Sequence, residues 1–237
     1  MAAEDAFAYA LSSNQAWAGY KGHQNPDFFP KLASGQSPAI LWLGCSDSRC
    51  PETTILGLQP GDVFVHRNIA NIISPTDINT SAVIEYAVTH LKVQHVVLCG
   101  HSSCGGAAAA LSDGRIGGVL DTWLVPLKAI RAANKEELAS ITDDKKRGVR
   151  IAELNVEAGI NVLMAHPAVQ DAIAERGLQV HGTFFDIGSG RIRDLGLGTK
   201  GGHHGIPGVN GDAGDVVRGK HAMLVFRTDG AGSMQAR

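Results

Sequence analysis

The sequence has few aromatic residues, few cysteines and no long hydrophobic run. Aromatic residues make up 5% of its 237 positions, and only four positions are cysteine. Four cysteines are too few for a disulfide-rich scaffold of this length, so we expect thiols that are buried, reactive or metal-bound. The apolar runs fall well short of the ~20 residues that a membrane-crossing helix needs. The first residues lack the pattern of a signal peptide, and we therefore expect a cytoplasmic protein with no membrane partner.

An excess of charge of either sign is also missing. The chain has 21 Lys and Arg residues against 23 Asp and Glu residues, for a formal net charge of -2. Nucleic-acid-binding proteins usually carry a strongly basic surface, so this balance predicts no nucleic-acid partner. The hydrophobic fraction of 44% is high enough for a substantial core. We predict a single domain over residues 1–237.

Short apolar runs alternate with stretches of helical periodicity. The runs predict strands at residues 39–43, 63–65, 95–99 and 180–187, and a glycine turn after the fourth predicts a short fifth strand at residues 191–195. The segments between them predict helices, and residues 77–91 show helical spacing with Thr76 or Asp77 as the candidate cap. This alternation predicts an α/β fold with a central, mostly parallel β-sheet flanked by helices. We expect about four parallel strands and a short antiparallel edge strand.

The two ends of the chain differ from this alternating pattern. Residues 1–35 predict an N-terminal helical arm, because apolar residues recur at helical spacing between Glu4 and Gly19 before several prolines. Residues 196–219 are dense in glycine and include His203 and His204. Such a composition excludes a regular helix, and we predict a glycine-rich loop insertion. The residues of this segment indicate no chemistry.

Two polar segments directly follow predicted strands. One runs from Cys45 to Arg49, and the other from His101 to Cys104. Because sites in open α/β sheets form outside the carboxyl ends of the strands, these side chains can converge. Two thiolates and one imidazole suit zinc, and three protein ligands leave a fourth position open, as in catalytic zinc sites. The spacing alone leaves another reading open, in which the cysteines are small buried residues.

Asp47 has two alternative roles beside such a metal. It could act as a fourth ligand and close the site. It could instead pair with Arg49, whose planar guanidinium grips a carboxylate through two hydrogen bonds. In that pairing Asp47 would leave the metal to water and accept a hydrogen bond from that water.

Three linked motifs together resemble those of the β-class carbonic anhydrases, also called carbonate dehydratases, in their plant-like and fungal-type branch. The motifs are Gly44–Arg49, Phe64–Asn71 and Gly100–Gly106, and the resemblance extends from about Gln36 to Asp186. It implies a Zn²⁺ lyase that interconverts CO2 and bicarbonate through hydroxide on the metal. Carbonyl sulfide or carbon disulfide hydrolysis on the same scaffold is one alternative. A non-catalytic zinc-binding regulatory protein is another.

The resemblance also implies a role for each matching residue. Cys45, His101 and Cys104 would bind zinc, and Asp47 and Arg49 would form the dyad beside the metal-bound water. The implied substrate-binding residues are Gln36, Phe64, Tyr86 and Gly105. Without the resemblance, Phe64 and Tyr86 would be interpreted as ordinary core residues.

Two further expectations concern regulation and assembly. Some relatives bind a regulatory bicarbonate through Trp, Arg and Tyr, and Trp42 and Arg67 match the first two positions. The third position here is Phe185, which lacks the hydroxyl, so the match is partial. The family places its active site at a dimer interface, and the resemblance therefore implies a homodimer or a dimer of dimers.

Overall fold

The computed structural model describes residues 5–199 and, beyond them, the backbone of three short strands. The chain separates into two compact units, Met1–Ser37 and Pro38–Arg237. The predicted arm, residues 1–35, falls within the first unit. The single domain over residues 1–237 stays a prediction. None of the described helices combines the length and apolarity that crossing a lipid bilayer requires.

The N-terminal unit consists of two helices, α1 (Ala6–Gln24) and α2 (Phe28–Ala33). Helix α1 begins where the Asp5 carboxylate accepts a hydrogen bond from the Phe7 N–H at 2.8 Å, which satisfies one of the unpaired donors at a helix start. Trp17, Phe28 and Phe29 stack edge to face, with ring centroids 5.1–6.3 Å apart. This small aromatic cluster joins the two helices.

A five-stranded sheet forms the centre of the second unit. Its strands are β1 (Ile40–Cys45), β2 (Val63–Asn68), β3 (His95–His101), β4 (Gln179–Asp186) and β5 (Arg191–Gly198). They lie in the order β2-β1-β3-β4-β5, and β5 alone runs antiparallel to its neighbour. The predicted fold, four parallel strands with an antiparallel edge strand, is therefore confirmed.

Eight helices connect and flank these strands. They are α3 (Glu52–Ile55), α4 (Ile78–Glu85), α5 (Gly105–Ala110), α6 (Val119–Trp123), α7 (Val125–Ala133), α8 (Lys135–Ser140), α9 (Asp144–Ala165) and α10 (Pro167–Arg176). Of the two predicted caps, Asp77 caps α4, because its carboxylate accepts the Asn79 N–H at 3.1 Å. The helix predicted to Leu91 continues only as a π-helical turn, Tyr86–His90.

Helix α9 covers one face of the sheet at close range. Val156, Ile160 and Leu163 on this helix belong to the same buried cluster as Leu98 of β3. Gly159 permits the close approach, because a Cβ atom there would lie 2.5 Å from Leu98 Cδ2. The packing of α9 thus fixes β3, the strand that ends at His101.

Replacing Gly159 with alanine will destabilise the fold through this contact. The added methyl group overpacks the sheet, and we expect the free energy of unfolding to fall by about 1–3 kcal/mol. Gly148 lies on the same helix with nothing within 4 Å of its would-be Cβ. Gly148→Ala should therefore raise stability by about 0.5–1 kcal/mol. Denaturant unfolding of both variants tests this pair, and a stabilising Gly159→Ala would contradict it.

The glycine-rich segment differs from the predicted loop at both ends. Strand β5 continues to Gly198, whose φ of 111° and close approach to Val180 leave no space for a side chain. Near the other end, β6 (Val216–Arg218) pairs with β7 (Met223–Phe226), which pairs with β8 (Gly232–Gln235). Glycines tolerate extended and positive-φ backbone, so their density excludes a helix but not a strand. Residues 200–215, including His203 and His204, lie outside the described residues.

Candidate metal centre

The two predicted ligand segments meet at the carboxyl edge of the sheet. Cys45 is the last residue of β1 and His101 the last residue of β3, its parallel neighbour. Cys104 follows in the turn that precedes α5. The candidate ligand atoms of these three buried residues all lie within 4.8 Å of one another. No other group of three or more His, Cys, Asp or Glu side chains in the described part of the chain could hold a metal ion.

The imidazole of His101 is oriented as a metal ligand would be. Its Nδ1 lies 2.9 Å from the carbonyl oxygen of Ser102, so Nδ1–H donates there and Nε2 presents a lone pair. This tautomer is assigned from the hydrogen bond. Nε2 is buried and has no hydrogen-bond partner among the described residues. A buried unpaired acceptor is costly, and a metal ion among the three ligand atoms would satisfy it.

The two thiols interact strongly with each other. A hydrogen bond from Cys104 is the main reason why the pKa of Cys45 falls to about 4, and His101 lowers that pKa further, against burial. The same bond, together with burial, raises the pKa of Cys104. The pair thus shares one proton, which a dication could replace by stabilising both thiolates. The three residues fit zinc in donor type, number and burial.

The other two cysteines have a different environment. Cys50 and Cys99 lie in a separate buried cluster with Trp42 and Phe185. Burial is the main cause that raises the pKa of Cys50 to about 11 and that of Cys99 to about 12. Both are therefore neutral thiols at physiological pH, and neither belongs to the ligand cluster.

Asp47 is paired with Arg49, which is one of its two predicted alternatives. The guanidinium donates from Nε to Oδ1 at 2.9 Å and from Nη2 to Oδ2 at 2.7 Å. These bonds are the main reason why the pKa of Asp47 lies below its usual range. Oδ2 lies 4.0 Å from His101 Nε2, so the carboxylate is close to the ligand cluster. Arg49 Nη2 also donates to the carbonyl oxygen of Ser103 at 3.1 Å.

Arg67 contacts the backbone of the same loop. Its Nε donates to the carbonyl oxygen of Cys45 at 2.7 Å, and its Nη2 donates to that of Asp47 at 2.5 Å. Its Nη1 lies 3.7 Å from a carboxylate oxygen of Glu52. The sequence did not predict these contacts, because nothing in it indicates that a side chain on β2 reaches the carbonyls after β1. The regulatory role expected for Arg67 stays a prediction.

A second contact missed by the sequence holds the loop between His101 and Cys104. Ser102 Oγ donates to Asp186 at 2.9 Å and accepts the Ile187 N–H at 2.9 Å. The next residue, Ser103, has a left-handed backbone with φ of 57°. The loop is thereby tied to the end of β4. In the sequence, the only indication of this contact was the position of Asp186 near the end of a predicted strand.

Of the four predicted substrate-binding residues, the structure brings two into contact. The structure brings Phe64 on β2 and Tyr86 together, with ring centroids 5.7 Å apart, and the ring centroid of His90 lies 5.4 Å from that of Tyr86. Gly105 is the first residue of α5, directly after Cys104. Gln36 belongs to the N-terminal unit, and its role stays a prediction. Trp42 is buried in β1, where its indole occupies the space beside Gly44.

Comparisons with known proteins agree with this fold and site. The family model described as carbonic anhydrase matches residues 40–192. A carbonic anhydrase of Emericella nidulans is 44% identical over 79% of this chain and 82% of its own. One of two tetrameric β-carbonic anhydrases from Sordaria macrospora is 77% identical, with a TM-score of 0.82 over 83% of this chain and all of the other. A β-carbonic anhydrase of Aspergillus fumigatus is 54% identical, with a TM-score of 0.79 over 81% of this chain and 91% of its own.

These matches exceed what a shared fold alone would give, because they combine sequence identity of 44–77% with coverage of 79–83% of this chain. The chain belongs to the β-class carbonic anhydrase family. It is a carbonic anhydrase enzyme with a Cys-His-Cys cluster suited to a metal ion.

Proposed function

We propose that this enzyme catalyses the zinc-dependent, reversible hydration of CO2 to bicarbonate and a proton. The observation that carries the proposal is the pairing of Asp47 with Arg49 beside the Cys45, His101 and Cys104 cluster. With Asp47 held by Arg49, the donor count leaves one zinc position for water. A zinc ion held there would lower the pKa of its water to about 7 and so supply hydroxide at neutral pH.

The residues around the proposed ligands orient the imidazole of His101 and the attacking water. The Ser102 carbonyl fixes the His101 tautomer that exposes Nε2. Asp47, ionised because Arg49 holds its pKa low, would accept a hydrogen bond from the attacking water and align it. Because both of its oxygens are already bonded to Arg49, the carboxylate is held in one orientation.

The proposed binding of CO2 rests on residues that match substrate-binding positions of the β-class carbonic anhydrases. CO2 carries no charge, so an apolar wall such as the Phe64 and Tyr86 rings suffices to bind it. Negative charge develops on its oxygens as bicarbonate forms, and fixed donors stabilise that charge. We propose the Gln36 side chain and the Gly105 backbone N–H as these donors.

The proposed assembly is a homodimer or a dimer of dimers in the cytoplasm. The Sordaria macrospora relatives are described as tetrameric, which supports association beyond a single chain. The N-terminal unit exposes Phe7, Tyr9 and Leu11 on α1, and we propose that it takes part in that association. Light scattering tests this proposal, and a monodisperse monomer would overturn it.

Stopped-flow measurement of CO2 hydration, with zinc content determined on the same sample, tests the proposed activity. We expect about one zinc per chain and hydration that rises as pH increases from ~6.5 to ~9, because water held by a zinc ion at this site would ionise in this range. Full zinc without hydration would contradict the proposal. Hydrolysis of carbonyl sulfide or carbon disulfide by such a sample would establish the sulfur-substrate alternative. Inactivity on all three would favour the non-catalytic alternative.

A further inference from the structure

We propose that Arg67 is a positioning residue that holds the metal-binding loop through its main chain. The catalytic part of this inference rests on the proposed function. The guanidinium of Arg67 bonds the carbonyl oxygens of Cys45 and Asp47, the two residues on either side of Ser46. One side chain on β2 therefore fixes the backbone of a proposed zinc ligand and of the proposed water-orienting acid.

These carbonyls lie where the sheet no longer supplies partners. The last strand-type bond of the segment runs from the Ser46 N–H to the carbonyl of Asn68, at 2.9 Å. Beyond it the chain turns, with the Cys50 N–H donating to the Asp47 carbonyl at 3.0 Å. Without Arg67, the Cys45 carbonyl would turn to water for a partner, and the loop would lose the side-chain bonds that tie it to β2. The rigid fork of an arginine suits this task because it bonds two acceptors at once.

Glu52 holds the third side of the same guanidinium. Its carboxylate lies 3.7 Å from Arg67 Nη1, and only 13% of its side chain is exposed. The nearer oxygen, Oε2, is buried without a hydrogen-bond partner among the described residues. A buried carboxylate oxygen is costly without a polar partner, and the guanidinium of Arg67 lies within ion-pair distance of it. Glu52 in turn orients the fork toward the two carbonyls.

This arrangement argues against Arg67 as the anion ligand expected from the resemblance. Its Nε and Nη2 donors are committed to carbonyl oxygens, and its Nη1 faces the carboxylate of Glu52. An incoming bicarbonate would have to displace these carbonyls and approach a like charge. The hydroxyl that relatives supply at the position of Phe185 is also absent.

Metal release from the zinc-loaded enzyme to an excess of chelator tests the inference without any need for CO2 activity. We expect Arg67→Gln to release zinc about 10–100-fold faster and to lose a similar factor in kcat/KM, as for other residues that support metal ligands. Arg67→Lys should be intermediate, since an ammonium group does not match the two-acceptor geometry of the fork. Glu52→Gln should show a smaller loss in the same direction.

Arg131→Gln is the matched control. Its side chain is 26% exposed against 25% for Arg67, but it pairs with the surface carboxylate of Asp113 and contacts no ligand loop. We expect wild-type metal release and kcat/KM from this variant. If Arg67→Gln does not fold, as judged by circular dichroism, Arg67→Lys and Glu52→Gln carry the same comparison.

Two results separate the competing explanations. Wild-type metal release and kcat/KM in Arg67→Gln, with inhibition by bicarbonate lost, would overturn the inference and make Arg67 an anion ligand. Faster metal release from Arg67→Gln in a chain whose wild type hydrates no CO2 would support the positioning role while the proposed function fails.

Discussion

Replacement of Cys104 with alanine will remove the metal and abolish CO2 hydration. In the proposed site three protein donors would hold the ion, and loss of one would leave Cys45 and His101, too few for a stable zinc site. We expect zinc content to fall from about one per chain to below about a tenth, and kcat/KM to fall by at least ~10³-fold. Elemental analysis and stopped-flow assays on one sample measure both quantities. They should fall together, because the metal supplies the nucleophile.

Cys99→Ala provides the matched control for this loss. Cys99 is as buried as Cys104, at 4% against 5% exposure. It lies on β3 close to His101, but outside the ligand cluster. Its thiol is also neutral, because burial raises its pKa to about 12. We therefore expect normal zinc content and activity. Retention of zinc and activity by Cys104→Ala would show that the ligand set is wrong.

Arg49→Gln will lower activity while the protein keeps its zinc. The substitution removes both side-chain bonds that hold Asp47, whose Oδ2 lies 4.0 Å from His101 Nε2. A freed carboxylate can turn toward the metal and occupy the position that water needs. We expect kcat to fall about 10²-fold, as for the loss of other groups that fix a reacting geometry. Zinc content should stay near one per chain.

The absorption spectrum of the cobalt-substituted protein provides a second measurement of that change. In wild type we expect a site open to water, with a spectrum that changes with pH as the water ionises. In Arg49→Gln, a bound Asp47 should make the spectrum insensitive to pH. Arg49→Lys should fall between the two, since lysine lacks the planar fork. Loss of zinc from Arg49→Gln, to the same extent as from Cys104→Ala, would instead indicate a role in holding the ligands.

The strands of the main sheet follow from local sequence to a large degree. Continuous apolar runs predicted β1 and β3, because strands covered on both faces need no alternation of polar residues. Glycine-containing turns beside β2 and β5 helped to predict those two strands. The ends of the strands were harder to predict. Strand β1 continues to Cys45 and β3 to His101, since polar residues at a strand end can still pair with a neighbouring strand. Hydropathy contains no signal for that pairing.

The sequence predicted the site residues whose side-chain chemistry itself indicates a function. It did not predict the residues whose role is to bond backbone atoms that are distant in the chain. Cysteine and histidine at strand ends indicate metal ligation because few other roles suit that combination. Arg67 gave no such signal, because its partners are carbonyl oxygens about twenty positions earlier in the chain. Ser102 likewise reaches Asp186 across the sheet. Contacts of this kind depend on strand register, which a single sequence does not specify.

The reliance of both arginines on main-chain acceptors affects how freely the loops can diverge in evolution. Every residue type has a carbonyl oxygen, so the anchors at Cys45, Asp47 and Ser103 survive any side-chain replacement that keeps the backbone path. The side chains of Ser46 and Ser48 point to solvent and are exposed. Drift between species should therefore concentrate at these serines, while the two arginines stay under purifying selection. Ser103 is a narrower case, because its left-handed backbone favours small residues, asparagine or glycine.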